Sequence, residues 1–314
     1  MSGTLDVSVV IASYNTRSML ESCIESIHES VDAITYEIIC VDDSSSDGSA
    51  DMVRQNFPDV RLVENTDNLG YTKSNNIGIK LTQGKYVVLL NADTEIQSQA
   101  FDRMVAFMDQ TPEAGACSPK LLNPDGSIQY CIRSFPNVLV LVAQSLSFHK
   151  LFPNNPITDQ YYRTSLDYDH IIEAESIGTT CYMIRREVLD EIGLLDEAFF
   201  LYCADLDFNK RIGSAGHKIF YLPQAEVIHY GGLSVNQNAR WHLIDAHRGY
   251  RVLYDRYYAP NHGPLYNALL RLAIKIRLGL FLVRLTLGRD KRVTKGPGAP
   301  DQVSAWREST VDTR

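Results

Sequence analysis

Tyr86-Val-Val-Leu-Leu-Asn-Ala-Asp93-Thr94 constrains the fold of this chain more than any other stretch. Its five apolar residues run without alternation, so the strand they form has to be buried on both faces, like a central strand in a sheet covered by helices. The run breaks off at Asn91 and Asp93. Ligands of open α/β sheets gather at the carboxyl ends of such strands, and two oxygen-bearing side chains one residue apart can converge on a hard divalent cation. An Asn- and Asp-rich strand-to-loop turn gives the same pattern with no chemistry, so the neighbouring stretches have to decide.

They repeat one unit. Val7-Ser-Val-Val-Ile11 reads as a strand closed by Ala12-Ser-Tyr14-Asn15, and Leu20, Cys23, Ile24, Ile27 and Val31 follow at helical spacing. Tyr36 to Val41 is the next strand, with the loop Asp42-Asp43-Ser-Ser-Ser-Asp-Gly48 and a helix through Met52, Val53 and Phe57 that Ser49 is placed to cap. A third strand, 60–64, leads to a helix ending near Leu81. Strands alternating with helices predict an α/β fold whose parallel sheet is covered on both faces. The polar loops after the first, second and fourth strands then meet at one sheet edge.

Further on, the pattern predicts a helix through Phe101 and Met108, a short strand at 114–118 and a hairpin turn at Asn123-Pro-Asp-Gly126. Periodicity fades in a proline- and aromatic-rich excursion from Phe135 to Asp169. A strand at 178–184, a helix at 186–192 and two strands at 218–222 and 226–232 complete the body.

Composition narrows the functions open to it. With 45% hydrophobic and 22% charged residues, the 314-residue chain has the make-up of an ordinary globular protein. Six scattered cysteines with no Cys-x-x-Cys pair, and no signal peptide, point to buried thiols in a reducing cytoplasm. No Gly-x-Gly-x-x-Gly follows the first strand, and Gly78 to Lys85 lacks the spacing of a phosphate loop. The net charge of −8 is uneven, because Arg271 to Lys295 holds eight basic residues against Asp290 alone. A body this acidic repels nucleic acid, whereas the basic segment suits an anionic phospholipid surface. The segment 265–287 is apolar but interrupted by Arg271, Lys275, Arg277 and Arg284, and no uncharged run approaches the ~20 residues of a membrane span. A basic amphipathic helix lying on the inner face of the cytoplasmic membrane is the expectation. Packing against the body or a second subunit is the alternative.

Taken in order, Ala12-Ser-Tyr-Asn15, Val41 to Ser49, Asn68-Leu-Gly70 with Asn75-Asn-Ile-Gly78, Leu90 to Thr94, Pro119 to Gly126, Gly193 to Asp207 and His229-Tyr-Gly-Gly-Leu-Ser234 resemble the motifs of the family 2 glycosyltransferases, most closely the rhamnosyltransferase-like branch. The resemblance implies the GT-A fold, a Rossmann-like, mostly parallel sheet with a C-terminal helical extension. The boundaries expected are 1–235 for the transferase domain, 236–295 for the C-terminal helices and 296–314 for a disordered tail. It also implies an inverting transfer from a nucleotide-diphosphate sugar, with dTDP-L-rhamnose as the expected donor, to a saccharide or polyprenyl-linked acceptor.

Residue by residue, the resemblance assigns Ala12, Tyr14, Asp42 and Asp43 to the base and ribose of the donor. Asn91, Ala92 and Asp93 take the place of the family's Asp-x-Asp, with Asp93 holding Mg²⁺ or Mn²⁺ and His229 completing that site. Asp205 matches the catalytic base, with Asp207 orienting or capping, so Asp93 and Asp205 must face one pocket. Ala204 stands where the family usually carries Glu, which removes a carboxylate contact to the acceptor. A nucleotidyltransferase, or a catalytically silent sugar-nucleotide-binding scaffold, is the alternative function, and a homo-oligomer stays open.

Overall fold

The computed structural model describes residues 5–136, 140, 156–231 and 239–287. The chain forms two compact units that divide between His229 and Tyr230.

The first unit is built on β1 (Val7–Ser13), β2 (Tyr36–Asp42), β3 (Arg61–Glu64) and β4 (Tyr86–Asn91), which lie in the order 3-2-1-4 and run parallel. Tyr86 to Leu90 are all buried, as an apolar run without alternation requires. Between the strands run α1 (Arg17–Ser30), α2 (Ser49–Asn56) and α3 (Tyr71–Ile79). The register pairs Ser13 with Asp42 and Ala12 with Asn91, so three strands deliver their carboxyl ends to one edge. Gly78 and Gly84 are packing positions. A Cβ on Gly78 would strike the Val10 side chain, and one on Gly84 would lie 2.6 Å from the Ser8 nitrogen.

The chain continues through β5 (Thr94–Ile96), α4 (Ala100–Gln110), β6 (Ala114–Leu122), β7 (Ile132–Arg133), α5 (Pro156–Tyr162), β8 (Ile172–Ala174), β9 (Ser176–Ile177), β10 (Cys181–Arg185), α6 (Arg186–Ile192), α7 (Ala204–Ser214) and β11 (Lys218–His229), with β7 and β9 paired antiparallel apart from the main sheet. The order of the main sheet is 3-2-1-4-10-6-11-5, with β8 also paired to β11. Beyond β4 the sheet is mixed rather than purely parallel: β10 runs antiparallel to both β4 and β6, while β6 and β11 are parallel. Periodicity reports which faces are buried and carries no information on direction.

Three local expectations change. The strands expected at 218–222 and 226–232 are one, β11, whose register shifts between Leu222 and Glu226 around Pro223. Proline has no N–H for the ladder, and the strand bulges instead of ending. The helix N-cap at α2 is Gly48, and Ser49 is the first helical residue. The capping acceptor is Asp47, which takes the Ser49 N–H at 3.0 Å on one oxygen and the Arg17 N–H at 2.9 Å on the other, so one carboxylate serves the starts of two helices. The hairpin turn at 123–126 is present, with Ser127 O accepting the Asn123 N–H at 2.8 Å. Most of the excursion expected from Phe135 lies outside the described residues, as does the tail from 296. All six cysteines are buried and free.

The second unit is an antiparallel helical hairpin of α8 (Ala239–Tyr257) and α9 (Pro264–Thr286), joined by a 3-10 turn at Ala259–Asn261. Tyr254 donates to Asn267 at 2.6 Å, Arg271 pairs with Asp255 at 2.8 Å, and His247 meets Phe281 edge to face. No described helix is long and apolar enough to cross a membrane.

Candidate active site

Two loops at the sheet edge are sewn together. Asn15, at φ 51°, donates its N–H to Ser45 Oγ at 2.9 Å and accepts the Ser46 N–H on its side-chain oxygen at 2.8 Å. Asp42 and Asp43 are both buried in this seam, yet their surroundings differ. Asp43 accepts the Asn65 amide (2.9 Å), the Leu69 N–H (2.9 Å) and the Gly70 N–H (2.8 Å). Its carboxylate is committed to the 65–70 loop, which redirects the expectation that it faces a nucleotide. Asp42 accepts only the Ser45 N–H on Oδ2, and its buried Oδ1 has no partner. A buried acceptor with no donor costs free energy, so this oxygen suits a ligand that brings an N–H or O–H. Tyr14 is exposed just past the end of β1, next to Ser13, the register partner of Asp42, and Ala12 is half-buried there.

At the end of β4 the chain turns tightly. Thr94 Oγ1 donates to the Asn91 carbonyl at 2.8 Å, and Asn91 N–H donates to Thr180 O at 2.8 Å. Ala92 is buried within the turn. The antiparallel pairing of β5 and β11 sets His229 opposite Thr94, and His229 Nε2 lies 3.3 Å from Asp93 Oδ1. The other ring nitrogen, Nδ1, is 2.6 Å from Gln129 Oε1. Gln129 orients that contact, because its amide nitrogen donates to His229 O (3.1 Å) and Asn123 Oδ1 (2.9 Å). With Oε1 thus the acceptor, Nδ1 carries a hydrogen, so in the uncharged form of the ring it is the Nε2 lone pair that faces the Asp93 carboxylate. Two lone-pair atoms held face to face fit a cation between them. Among the described residues no cluster of three or more His, Cys, Asp or Glu surrounds a point, so a metal here would take its remaining ligands from a diphosphate and water, as Mg²⁺ commonly does.

Asp205 sits in the first turn of α7, at a helix start that Cys203 enters with φ 69°. Burial pushes its carboxyl above the ordinary value of 3.8, against the opposing pull of the Leu206 N–H and the Arg133 charge. Tyr71 stands between it and the metal-fitting turn: its hydroxyl donates to Thr179 Oγ1 at 2.8 Å, beside the Thr180 carbonyl that takes the Asn91 N–H, and its phenol, raised chiefly by burial, lies within electrostatic range of Asp205. The segment before α7 is held by α3. Asn76 bonds Leu195 O (2.9 Å) and Leu195 N–H (3.0 Å), and Thr72 bonds the Phe199 and Phe200 carbonyls. Gly70, at φ +86°, admits the Phe200 ring, which a Cβ would meet at 2.6 Å. Asp207 points elsewhere. It is fully buried and pairs with Arg211 at 2.9 Å, whose guanidinium donates to Ile192 O and Leu194 O at 2.8 Å each.

Asn65, Tyr71, Gln129 and Arg133 have no role in the sequence pattern, and Asp47 and Asn76 lie within its motifs without one. Only the contact partners reveal them, although Gln129 could have been suspected from its place just after the Asn-Pro-Asp-Gly turn.

The decisive comparison is with family profiles, where that described as glycosyl transferase family 2 matches residues 8–193. The chain belongs to that family. As a family 2 glycosyltransferase it is similar to the N-acetylglucosaminyl-diphospho-decaprenol L-rhamnosyltransferase of Mycobacterium tuberculosis (strain ATCC 25618 / H37Rv), at 28% identity over 90% of this chain and 95% of the relative. Over a third of its length it is 33% identical to a poly(ribitol-phosphate) beta-glucosyltransferase of Bacillus spizizenii, covering 17% of that protein. Among solved structures, the transferase resembles a mannosyltransferase from Pyrobaculum calidifontis in complex with GDP-Man and Mn²⁺ (TM-score 0.55, 15% identity, 99% of this chain and 81% of the other). It also resembles GalNAc-T7 with UDP, GalNAc and Mn²⁺ (TM-score 0.54, 17% identity, 76% of this chain), of which it spans about half, 48%. These likenesses establish a GT-A glycosyltransferase fold.

Proposed function

We propose that this transferase is a metal-dependent, inverting enzyme that moves a hexosyl group, L-rhamnosyl by its mycobacterial relative, from a nucleoside diphosphate to a saccharide carried on a polyprenyl diphosphate. The observation that carries the reading is the half-buried Asp205 carboxyl, raised above its ordinary value, with Tyr71 and Thr179 placed between it and the Asp93 and His229 turn.

Asp42 Oδ1 accepts the imino N–H of the base, Tyr14 and Ala12 form the wall beside it, and Asp43 acts indirectly by fixing the 65–70 loop. Asp93 and His229 hold Mg²⁺ or Mn²⁺, with Asn91 and Ala92 shaping the turn. When bound, the cation neutralises the charge that builds on the departing diphosphate. Asp205 takes the proton of the acceptor hydroxyl as its oxygen attacks the anomeric carbon. The bond to the diphosphate breaks on the opposite side, so configuration inverts and no covalent sugar on the protein is needed. Ala204, buried at the start of α7, leaves recognition of the acceptor to other groups.

Product analysis tests the reaction class: release of nucleoside diphosphate supports transfer, whereas release of pyrophosphate would mean nucleotidyl chemistry. In a thermal-shift screen, dTDP-sugars with Mn²⁺ are expected to raise Tm, since a ligand of the native state alone stabilises it. Asp42→Ala should lose that rise while keeping its own unliganded Tm within a few degrees. A second measurement uses pH. The base works as a carboxylate, so kcat/KM falls as pH drops through its raised pKa, and the acid limb lies above 3.8. Arg133→Gln removes a charge that favours the carboxylate and moves the limb further up. A rate flat from pH 4 to 7 would remove Asp205 from the role.

A further inference from the structure

The face of α9 turned away from α8 carries Leu265, Leu269, Leu272, Ile276, Leu280, Val283 and Leu287, each more than half exposed. Their spacings of four, three, four, four, three and four repeat every eleven residues, close to three turns of an α-helix. Down the axis they fall within about 80° of arc, at 3.6 residues per turn. They form one straight apolar stripe along the helix. Exposed Lys275 lies about 100° to one side of its centre line and exposed Arg284 about 80° to the other. No acidic residue occurs between Pro264 and Thr286, while Arg289, Lys291, Arg292 and Lys295 follow in sequence.

An apolar stripe this long on a soluble surface marks a contact. Two features select its partner. An eleven-residue repeat keeps the stripe close to straight, which suits a flat surface, whereas a second copy would follow it only in a right-handed supercoil and not in the left-handed coiled coil of a seven-residue repeat. Flanks that are basic only would also oppose one another across a self-interface, but complement an anionic headgroup layer. The helix is too short of uninterrupted apolar residues to cross.

We infer that this face of α9 binds an anionic bilayer surface, with the leucine stripe in the acyl boundary and Lys275 and Arg284 at the headgroups. The inference does not depend on which sugar or acceptor the enzyme uses, and its test contains neither. The full-length protein is co-sedimented with phosphatidylglycerol/phosphatidylcholine vesicles and with phosphatidylcholine vesicles alone. Wild type should bind the anionic vesicles and release with added salt. L272Q/I276Q/L280Q should bind them about a hundredfold more weakly, and K275Q/R284Q about 25-fold more weakly. All five side chains are exposed in the folded protein, so Tm should hold. Wild type remaining in the supernatant, or both variants sedimenting like wild type, would overturn the inference. So would a wild-type dimer in ultracentrifugation that L272Q/I276Q/L280Q converts to monomer with lipid binding unchanged, since the stripe would then belong to a second copy.

Discussion

Asp205→Asn should lower kcat by about 10²- to 10⁴-fold, the range contributed by a positioned general base, while the donor with Mn²⁺ still raises Tm as it does for wild type. The amide keeps the shape of the carboxyl but cannot take up the acceptor proton. Its effect on stability has the opposite sign. Because the folded-state pKa of Asp205 is raised, the native protein favours the protonated form, and the stability this gives is present at low pH and lost as pH rises through that pKa. At neutral pH the partly desolvated charge is a cost, so Asp205→Asn should melt at the same temperature as wild type or higher, as strained functional groups often allow. A variant that lost activity only by unfolding, or kept wild-type kcat, would contradict the assignment.

Asp207→Ala, two residues along, should do the reverse. Its carboxylate is fully buried and holds Arg211, which ties the end of α6 to α7 through Ile192 O and Leu194 O. Removing one partner of such a pair leaves the other without compensation, typically at 3–5 kcal/mol. Arg211 retains 24% exposure and can recover some water, so a loss of about 3 kcal/mol, or roughly 8 °C in Tm, is expected. Chemical denaturation at neutral pH reads it directly. Below the melting transition kcat should stay near wild type. A large fall in kcat with Tm unchanged would make Asp207, rather than Asp205, the residue at the reacting atoms.

The contrast between these neighbours shows where sequence reading stops. On a helix, residues two apart point in different directions, so it was clear that Asp205 and Asp207 do not share a task. That Asp207 meets Arg211, four residues on, follows from the same periodicity. Which acid enters the site depends on how α7 rolls against β9, and that roll is fixed by Asn209 bonding Ile177 O at 2.9 Å and Tyr182 at 2.7 Å. The paired acids of the second loop behave alike. Asp42 and Asp43 are indistinguishable in sequence, but the 65–70 loop saturates one and leaves an oxygen of the other without a partner. Adjacent residues of an extended segment face opposite ways, and only the loop that comes to lie on one face decides which is used.

From the sequence alone came the parallel half of the sheet, the edge at which three polar loops meet, and the family, because buried parallel strands and the turns that close them leave local signatures in residue type and spacing. The tertiary structure decided the antiparallel insertion of β10, the continuity of β11 past Pro223, the Gln129 contact that orients His229 toward Asp93, and the exposure of the leucine stripe on α9. Strand direction, ring tautomer and the uncovered side of a helix are all set by groups distant in the chain. Their cause is which surfaces meet when the chain folds, and no window of sequence contains it.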